Sequence, residues 1–446
     1  MKKIVSVAVS LITVLSMSVC SYADQTLKVG ARGDEVRDIQ EMLIAQGYLD
    51  GNADGIFGAK TESAVLAYQE ENGLDATGIV GQGTLNALKH DEEDRRAADA
   101  QESETSEDGI DVAALFPSWD PDSASLANLI DFVSACTDAS SPEYLDPEDR
   151  IATFDMDGTV LCEKAPVYFD YCMTMYRVLD DPSFNATPEE EDAMQQIRDH
   201  AYSEGETFKP EGITKDDLVA TAFAGMTPEE FRAYAVDFAD HVDAVGFEGM
   251  TYGESFYLPM LEVIDYLRLN GFDVWMVSAC EREVVRGLME RYDFPFDHVI
   301  ATDVPYVASG NTAQEPADEY TMEQDETIVL GAPLDEVECG KSGKPAAIAR
   351  EIGKRPVLAF GNSSGDFAML NYAQGNPDHR GMGFFVVCDD TVREYGNDEK
   401  AAEYYEEVEK EGWTAISMAN DWQTIYGEGV RKTELPGSEE ALEDAA

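Results

Sequence analysis

Two carboxylates one residue apart, Asp155 and Asp157, stand at the end of the apolar run Ile151-Ala152-Thr153-Phe154. An extended chain alternates its side chains between faces, so residues at this spacing point the same way. Gly158 and Thr159 come next, and both residue types favour the turn a chain makes on leaving a sheet. At the carboxyl end of a buried parallel strand, such a pair can supply a nucleophile and oxygen ligands for a divalent cation. Alone, the same nonamer is equally a polar turn closing an ordinary strand. Its chemistry depends on what the fold brings beside it.

Three later segments carry complementary groups. Ser278 ends the apolar stretch 272–277, Gly343-Lys344-Pro345 opens a helical pattern, and Gly361-Asn362-Ser363-Ser364-Gly365-Asp366 follows the apolar stretch 357–360. The spacing predicts strands over 272–278, 298–302, 357–360 and 384–388, with helices over 259–270, 281–292, 345–353 and 366–372. A hairpin-bearing region is expected within 320–337. This alternation predicts an α/β fold with a Rossmann-like parallel sheet and helices on both faces. Residues from about 165 to 250 show helical patches only, at 168–178, 188–201, 215–224 and 228–242, with Thr187, Thr214 and Thr227 as caps. They read as a helical cap inserted after the first strand. Open parallel sheets bind ligands at the carboxyl ends of their strands. One crevice would thus receive a carboxylate pair, the Ser278 hydroxyl, an amine and the Asn362/Asp366 pair. That inventory suits phosphoryl transfer: nucleophile, proton donor, phosphate-holding hydroxyl, charge-neutralising lysine and cation ligands. Lys341, three residues before Lys344, competes for the lysine role.

Length and composition set limits. A chain of 446 residues with 44% apolar and 10% aromatic content has material for two or three folded domains. Its 90 acidic against 31 basic residues, net −59, repel nucleic acid and anionic membranes. A phosphate-bearing substrate receives no long-range steering from such a field, so an anion site must be built locally. Residues 1–23 combine a basic start, an apolar run to about Val19 and small residues around Ala23, the pattern of a secretory signal peptide. The apolar run is short for a stable membrane insertion. Lipidation at Cys20 is the alternative, and Val19 fits it poorly. Cleavage near Ala23 would leave Cys136, Cys162, Cys172, Cys280, Cys339 and Cys388. Six cysteines permit disulfides in an exported protein, with Cys162 and Cys280 as candidate neighbours, but buried free thiols are the simpler reading. No oligomeric state follows from the sequence.

Within 24–88, helical spacing at Val36, Ile39, Gln40 and Leu43 leads into Gly47-Tyr48, then the Gly-rich loop Asp54-Gly55-Ile56-Phe57-Gly58. A second helical face, Ala64, Val65, Tyr68 and Gln69, precedes Gly73-Leu74, Gly78, Gly81 and a short helix from Thr84 to Leu88. This string resembles the small three-helix, all-α peptidoglycan-binding domain of exported cell-wall proteins, which implies peptidoglycan as a partner and a cell-wall-associated location. The same residues are explained as core and turn chemistry, so they identify no binding surface. Residues 89–111 are charged and without apolar period, an acidic linker. The acidic end, 434–446, is expected to be disordered.

Residues 112–433 hold the second domain. The strings Phe154-Asp155-Met156-Asp157-Gly158-Thr159, Gly343-Lys344-Pro345, Gly361-Asn362-Ser363-Ser364-Gly365-Asp366 and Gly412-Trp413-Thr414-Ala415-Ile416-Ser417 resemble, in order and spacing, the haloacid dehalogenase superfamily. Its phosphoserine-phosphatase-like branch is the best fit. The resemblance implies a phosphomonoester hydrolase using Mg2+ and an aspartyl-phosphate intermediate. Asp155 would be the nucleophile, and Asp157 the acid and base, its main-chain carbonyl facing the metal. Ser278 would hold a phosphoryl oxygen, Lys344 would balance charge, and Asn362 or Asp366 would complete the metal site. Many relatives carry Asp where Asn362 stands, which removes one negative charge here. Glu163 lies near the position that reads the substrate amine in phosphoserine phosphatases, offset by one residue. The expectation is an exported, wall-associated phosphatase of small phosphomonoesters. The other reading is a catalytically inactive wall-binding protein on the same scaffold.

Overall fold

Ile151–Phe154 forms strand β1 near the centre of a six-stranded sheet in the computed structural model of the chain. The structure describes residues 27–88 and 112–438, apart from 29–30, 32–33, 50–54, 56, 73, 75, 82–83, 85–87, 312–319, 325 and 332–338. The expected signal peptide, the linker 89–111 and residues 439–446 lie outside the described residues. Contacts divide the chain into two units, 1–110 and 111–446.

In the first unit, helices α1 (Asp34–Ala45) and α2 (Ala59–Glu71) pack through Val36, Ile39, Leu43, Val65 and Tyr68, all buried. Two buried glutamines tie the loops to these helices. Gln40 donates to Thr61 Oγ1 (3.0 Å) and accepts from the Gly55 amide (2.8 Å). Gln69 donates to the Ile79 carbonyl (2.8 Å) and accepts from the amides of Thr77 and Gly78 (2.9 Å each). A buried amide side chain meets its hydrogen-bonding capacity in this way while fixing a loop that has little apolar surface of its own.

In the second unit, β1 is joined by β2 (Asp273–Glu281), β3 (Val299–Thr302), β4 (Leu358–Gly361), β5 (Met382–Val387) and β6 (Thr414–Ser417). The order is β3-β2-β1-β4-β5-β6 and every pairing is parallel. Both faces are covered, which is why the strands are continuous apolar runs. On one face Phe154, Phe360 and Phe384 stack with centroids 4.1 and 5.0 Å apart, while Ala359, Phe385 and Val387 face the other core. The flanking helices are α3 (Ala124–Thr137), α8 (Leu258–Leu269), α9 (Arg282–Met289), α10 (Gly343–Glu351), α11 (Phe367–Gln374) and α12 (Asp398–Glu411).

Four helices form the cap between β1 and α8: α4 (Phe169–Leu179), α5 (Pro188–Glu204), α6 (Lys215–Phe223) and α7 (Pro228–His241). Thr187, Thr214 and Thr227 each accept from the backbone three residues on, and Glu190, Asp217 and Glu230 reach back to complete capping boxes. A small antiparallel hairpin pairs Tyr306–Ala308 with Ile328–Leu330.

The structure departs from the sequence expectations in four places, the first being that hairpin, whose Tyr306–Ala308 strand lies before the expected 320–337. The sixth strand, β6, is not among the expected ones, because its pattern Thr-Ala-Ile-Ser is short and only half apolar. Strand β2 runs three residues past Ser278, to Glu281. The expected disordered tail is ordered at its start: Arg431–Lys432 pairs with Phe247–Glu248, Leu435 is buried, and the Gly437 amide donates to the Tyr202 carbonyl on α5 (3.0 Å). Apolar Leu435 supplies the burial that the surrounding acidic residues do not.

Candidate active site

The chain leaves β1 with the Asp155 amide donating to the Phe360 carbonyl of β4 (2.9 Å), which fixes the start of the loop against its neighbour. Gly158 then adopts φ +77°, and an added Cβ there would sit 1.9 Å from Asn362 Nδ2 and 2.7 Å from Glu163 Oε2. A glycine is needed on both counts. The turn allows the loop after β1 to lie directly against the loop after β4.

Lys344, on the first turn of α10, is 2% exposed and joins the two loops. Its Nζ donates to Asp155 Oδ1 and to Asp366 Oδ1, the latter at 2.7 Å. Lys341 lines the same cavity but is exposed and reaches neither carboxylate. The other oxygen of Asp366 accepts from the amides of Asn362 and Ser363 (3.1 Å each) and from Ser363 Oγ (3.3 Å). Both Asp366 oxygens are thereby engaged within the protein. In this arrangement Asp366 orients Lys344 and shapes the loop after β4.

Asp155 Oδ2 and Asn362 Oδ1 each lie 3.3 Å from Thr159 Oγ1. A hydroxyl has one proton, so it can serve only one of these two oxygens at a time. Asn362 Nδ2 donates to Glu163 Oε2 (3.0 Å). Because an ionised carboxylate only accepts, Glu163 fixes the amide with its oxygen turned toward Thr159. Glu163 thus contacts Asn362 and also borders the cavity. Thr159 was legible only as a turn former, and no feature of the sequence marks its hydroxyl as the bridge.

Asp157 borders the same cavity, and its Oδ1 is buried with no hydrogen-bond partner. Burial, then the nearby carboxylates Asp170, Asp155 and Glu163, push its carboxyl well above the usual range and favour the protonated form. Burial also raises Asp155, with Asp366 adding to the shift and Lys344 opposing it. Burial opposes the charge on Lys344, but Asp155 and Asp366 outweigh it and hold the ammonium protonated.

Ser278 is fully buried in β2 and its Oγ accepts from the Cys280 amide (3.1 Å). Ala279 and Cys280 border the cavity, and Ser278 does not. Its O–H remains able to donate, but the structure does not open it to the cavity as expected. The cavity measures about 360 Å³. Beyond it, Lys215 on α6 ion-pairs with Asp170 on α4 and with Glu281 at the end of β2 (3.3 Å), joining cap to sheet. No sequence spacing pointed to this cluster. All six described cysteines are free, and Cys162 and Cys280 donate to different carboxylates, Glu394 and Glu281 (3.5 Å each). No helix among the described residues is long and apolar enough to cross a membrane.

Residues 32–88 match the family of peptidoglycan binding domains, and residues 152–371 match haloacid dehalogenase-like hydrolases. A spore cortex-lytic enzyme of Oceanobacillus iheyensis is 35% identical over 68 residues, 15% of this chain and 25% of that protein. The N-acetylmuramoyl-L-alanine amidase CwlM of Mycobacterium tuberculosis is 45% identical over 56 residues, 13% of this chain and 14% of that protein. The chain therefore spans a quarter or less of these curated relatives. Among solved structures, the SleB N-terminal domain is 33% identical, covering 16% of this chain and 96% of that one, TM-score 0.15. A conserved protein of unknown function from Anaerococcus prevotii is 16% identical and covers 67% of this chain and 92% of that one, TM-score 0.43.

Proposed function

The chain belongs to the haloacid dehalogenase-like hydrolases through residues 152–371 and carries a peptidoglycan-binding domain at residues 32–88, and from that premise we propose that it hydrolyses small phosphate monoesters at the cell wall. The observation that carries this reading is Lys344 held between Asp155 and Asp366, with Asp157 bordering the same cavity.

Asp155 attacks phosphorus, forming a bond from its carboxylate oxygen as the bond to the ester oxygen breaks. Asp157, protonated at the start, gives its proton to the departing oxygen. As a carboxylate it then takes a proton from water, whose oxygen attacks phosphorus and releases Asp155. Lys344 balances the charge that gathers as the phosphoryl oxygens meet two aspartates. The Ser278 O–H is the candidate donor to a phosphoryl oxygen.

The family implies Mg2+, and the oxygens present fit it. Asp155 Oδ2 and Asn362 Oδ1 share one hydroxyl donor, and magnesium favours such hard oxygen ligands. Asp155, the Asp157 main-chain carbonyl and Asn362 would hold the ion. When bound it supplies positive charge against the phosphoryl oxygens. Export through the N-terminal 23 residues and retention by the first domain would place the reaction at the wall.

The test is p-nitrophenyl phosphate turnover by the purified chain with Mg2+ or with chelator, beside Asp155→Asn. We expect Mg2+-dependent turnover that falls by at least ~10³-fold in Asp155→Asn, as when a covalent nucleophile is removed. Turnover that survives in Asp155→Asn overturns the mechanism. Absence of turnover by the unaltered chain on any phosphomonoester favours the inactive wall-binding reading, for which the Asn362 substitution is the motivating observation.

A further inference from the structure

Past Glu163, Lys400 and Tyr404 the cavity at the sheet edge adjoins a second one of about 220 Å³, which the same three residues help to line. Its other walls come from Lys164 after β1, Tyr395 after β5, and Lys432 and Leu435 of the ordered C-terminal segment. Lys164, Lys400 and Lys432 thus bring three ammonium groups to one cavity in a chain of net charge −59.

Among the described residues none of these three forms an ion pair with a carboxylate, whereas Lys215, Lys344, Lys354 and Lys410 all do. Lys209 and Lys341 are the other unpaired lysines of 112–438, and Lys341 borders the first cavity. Lys164 donates to the Gly205 carbonyl (3.1 Å), and Lys432 to the carbonyls of Thr391 (2.8 Å) and Glu394 (3.1 Å). An ammonium has three donors, so each keeps at least one. Backbone carbonyls therefore hold these side chains in place without neutralising them. The cavity also carries three carboxylates, Glu163, which accepts from Asn362, and Glu204 and Glu206, which are exposed as Lys400 is; among the described residues none of them forms an ion pair with the three lysines. In so acidic a molecule, lysines left unpaired at one place mark a position where an anion is to be received.

We propose that this second cavity binds an anionic group on the departing part of the ester, so that the preferred substrates are phosphate esters bearing a second phosphate or carboxylate. The proposal rests on the phosphatase reading above. The first cavity takes the phosphate to be cleaved, and the second distinguishes its carrier. Small-ligand sites occupy roughly 300–1,000 Å³, a range the two adjoining spaces meet together with room for a carrier of a few heavy atoms.

Three esters decide it: glycerol phosphate, phosphoglycerate and propanediol bisphosphate, the last two adding a carboxylate or a phosphate. The unaltered chain should show kcat/KM at least ~10-fold higher for one or both anionic carriers than for glycerol phosphate, the scale of a charge-assisted hydrogen bond. Whichever of the two gains more identifies the source of the anion. Lys432→Ala and Lys400→Gln should each lower that preference through KM. The Lys400 side chain is exposed and makes no hydrogen bond, and the helix-capping bond from its amide to Asn397 Oδ1 survives substitution, so its variant stands even if Lys432→Ala is unstable. Equal kcat/KM for all three esters, or variants that lower all three alike, overturns the proposal. If no ester is turned over, the phosphatase reading fails, and calorimetric titration with phosphoglycerate decides the cavity separately. Binding that weakens ~10-fold in Lys400→Gln supports it; no binding, or binding unchanged by the substitution, removes it.

Discussion

Lys344 is a buried cation between two carboxylates, so its removal leaves Asp155 and Asp366 facing each other unneutralised. Lys344→Ala should cost about 3–5 kcal/mol of stability, the usual penalty for stranding buried charges, and should abolish turnover. Denaturant unfolding measures the first effect. Lys341→Ala, at an exposed position, should leave the unfolding midpoint nearly unchanged. Asn362 and Glu163 form a second matched pair, because the Glu163 carboxylate requires a donor and Asn362 Nδ2 supplies it. Asn362→Asp alone would set two carboxylates against each other. The added charge at a position that would hold the ion favours Mg2+, so the variant should lower the Mg2+ concentration for half-maximal activity, and the double variant Asn362→Asp/Glu163→Gln should raise it part of the way back. Groups that orient a metal ligand typically change affinity by roughly 10–100-fold, and a Mg2+ titration of initial rates reads the shift.

At the scale of elements, the cap is fixed by end-of-helix chemistry. On α4, Arg177 pairs with Asp181 (2.5 Å), beside Ser183 and Tyr234. Partial burial opposes ionisation of Asp181, but the Ser183 amide and hydroxyl, Arg177 and Tyr234 bring it down to about 2 from 3.8. A depressed carboxyl contributes stability that is complete above its unfolded value and lost as pH falls through its folded one. Asp181→Asn should therefore lower Tm at neutral pH, and the difference from the unaltered chain should shrink between about 4 and about 2. Thermal melts across that range check it. Lys215→Met should weaken the seating of the cap on β2, since it removes the cation between Asp170 and Glu281. An increase in KM larger than any fall in kcat is the expected result.

The same scale explains what could be read in the chain beforehand. Strands such as Leu358–Gly361 announce themselves because burial on both faces demands unbroken apolar runs. Thr187, Thr214 and Thr227 are legible because a cap is a local bond between near neighbours. The half-polar β6 was not, since its strand character comes from pairing with β5, thirty residues away in sequence. The grouping of Asp155, Lys344 and Asp366 follows from topology once the strands are placed. By contrast, Thr159 as a shared donor, Glu163 as the partner of Asn362, and the Lys215 cluster are long-range contacts with no periodic signature. They required three dimensions.

For the whole molecule, contacts fall into two units divided at 110/111. Residues 24–90 alone should sediment with purified wall sacculi, and residues 112–446 should not, while the latter keep the kcat/KM of the full chain on p-nitrophenyl phosphate. Retention of the second fragment by sacculi would assign wall binding to the hydrolase unit instead. The surface charge should also make turnover of anionic esters respond to salt: rates at low substrate should rise as ionic strength screens the net −59.

One last consequence concerns the chain passing from Arg431 to Gly437. It pairs with Phe247–Glu248 at the cap's base and then reaches Tyr202 on α5. The cap is therefore tethered by three strands of polypeptide where an insertion alone would give two. A lid hinged at two points can swing, but one stitched down a third time must slip its last stitch to gape. Truncation after Gly429 should therefore quicken product departure and loosen discrimination among carriers at once.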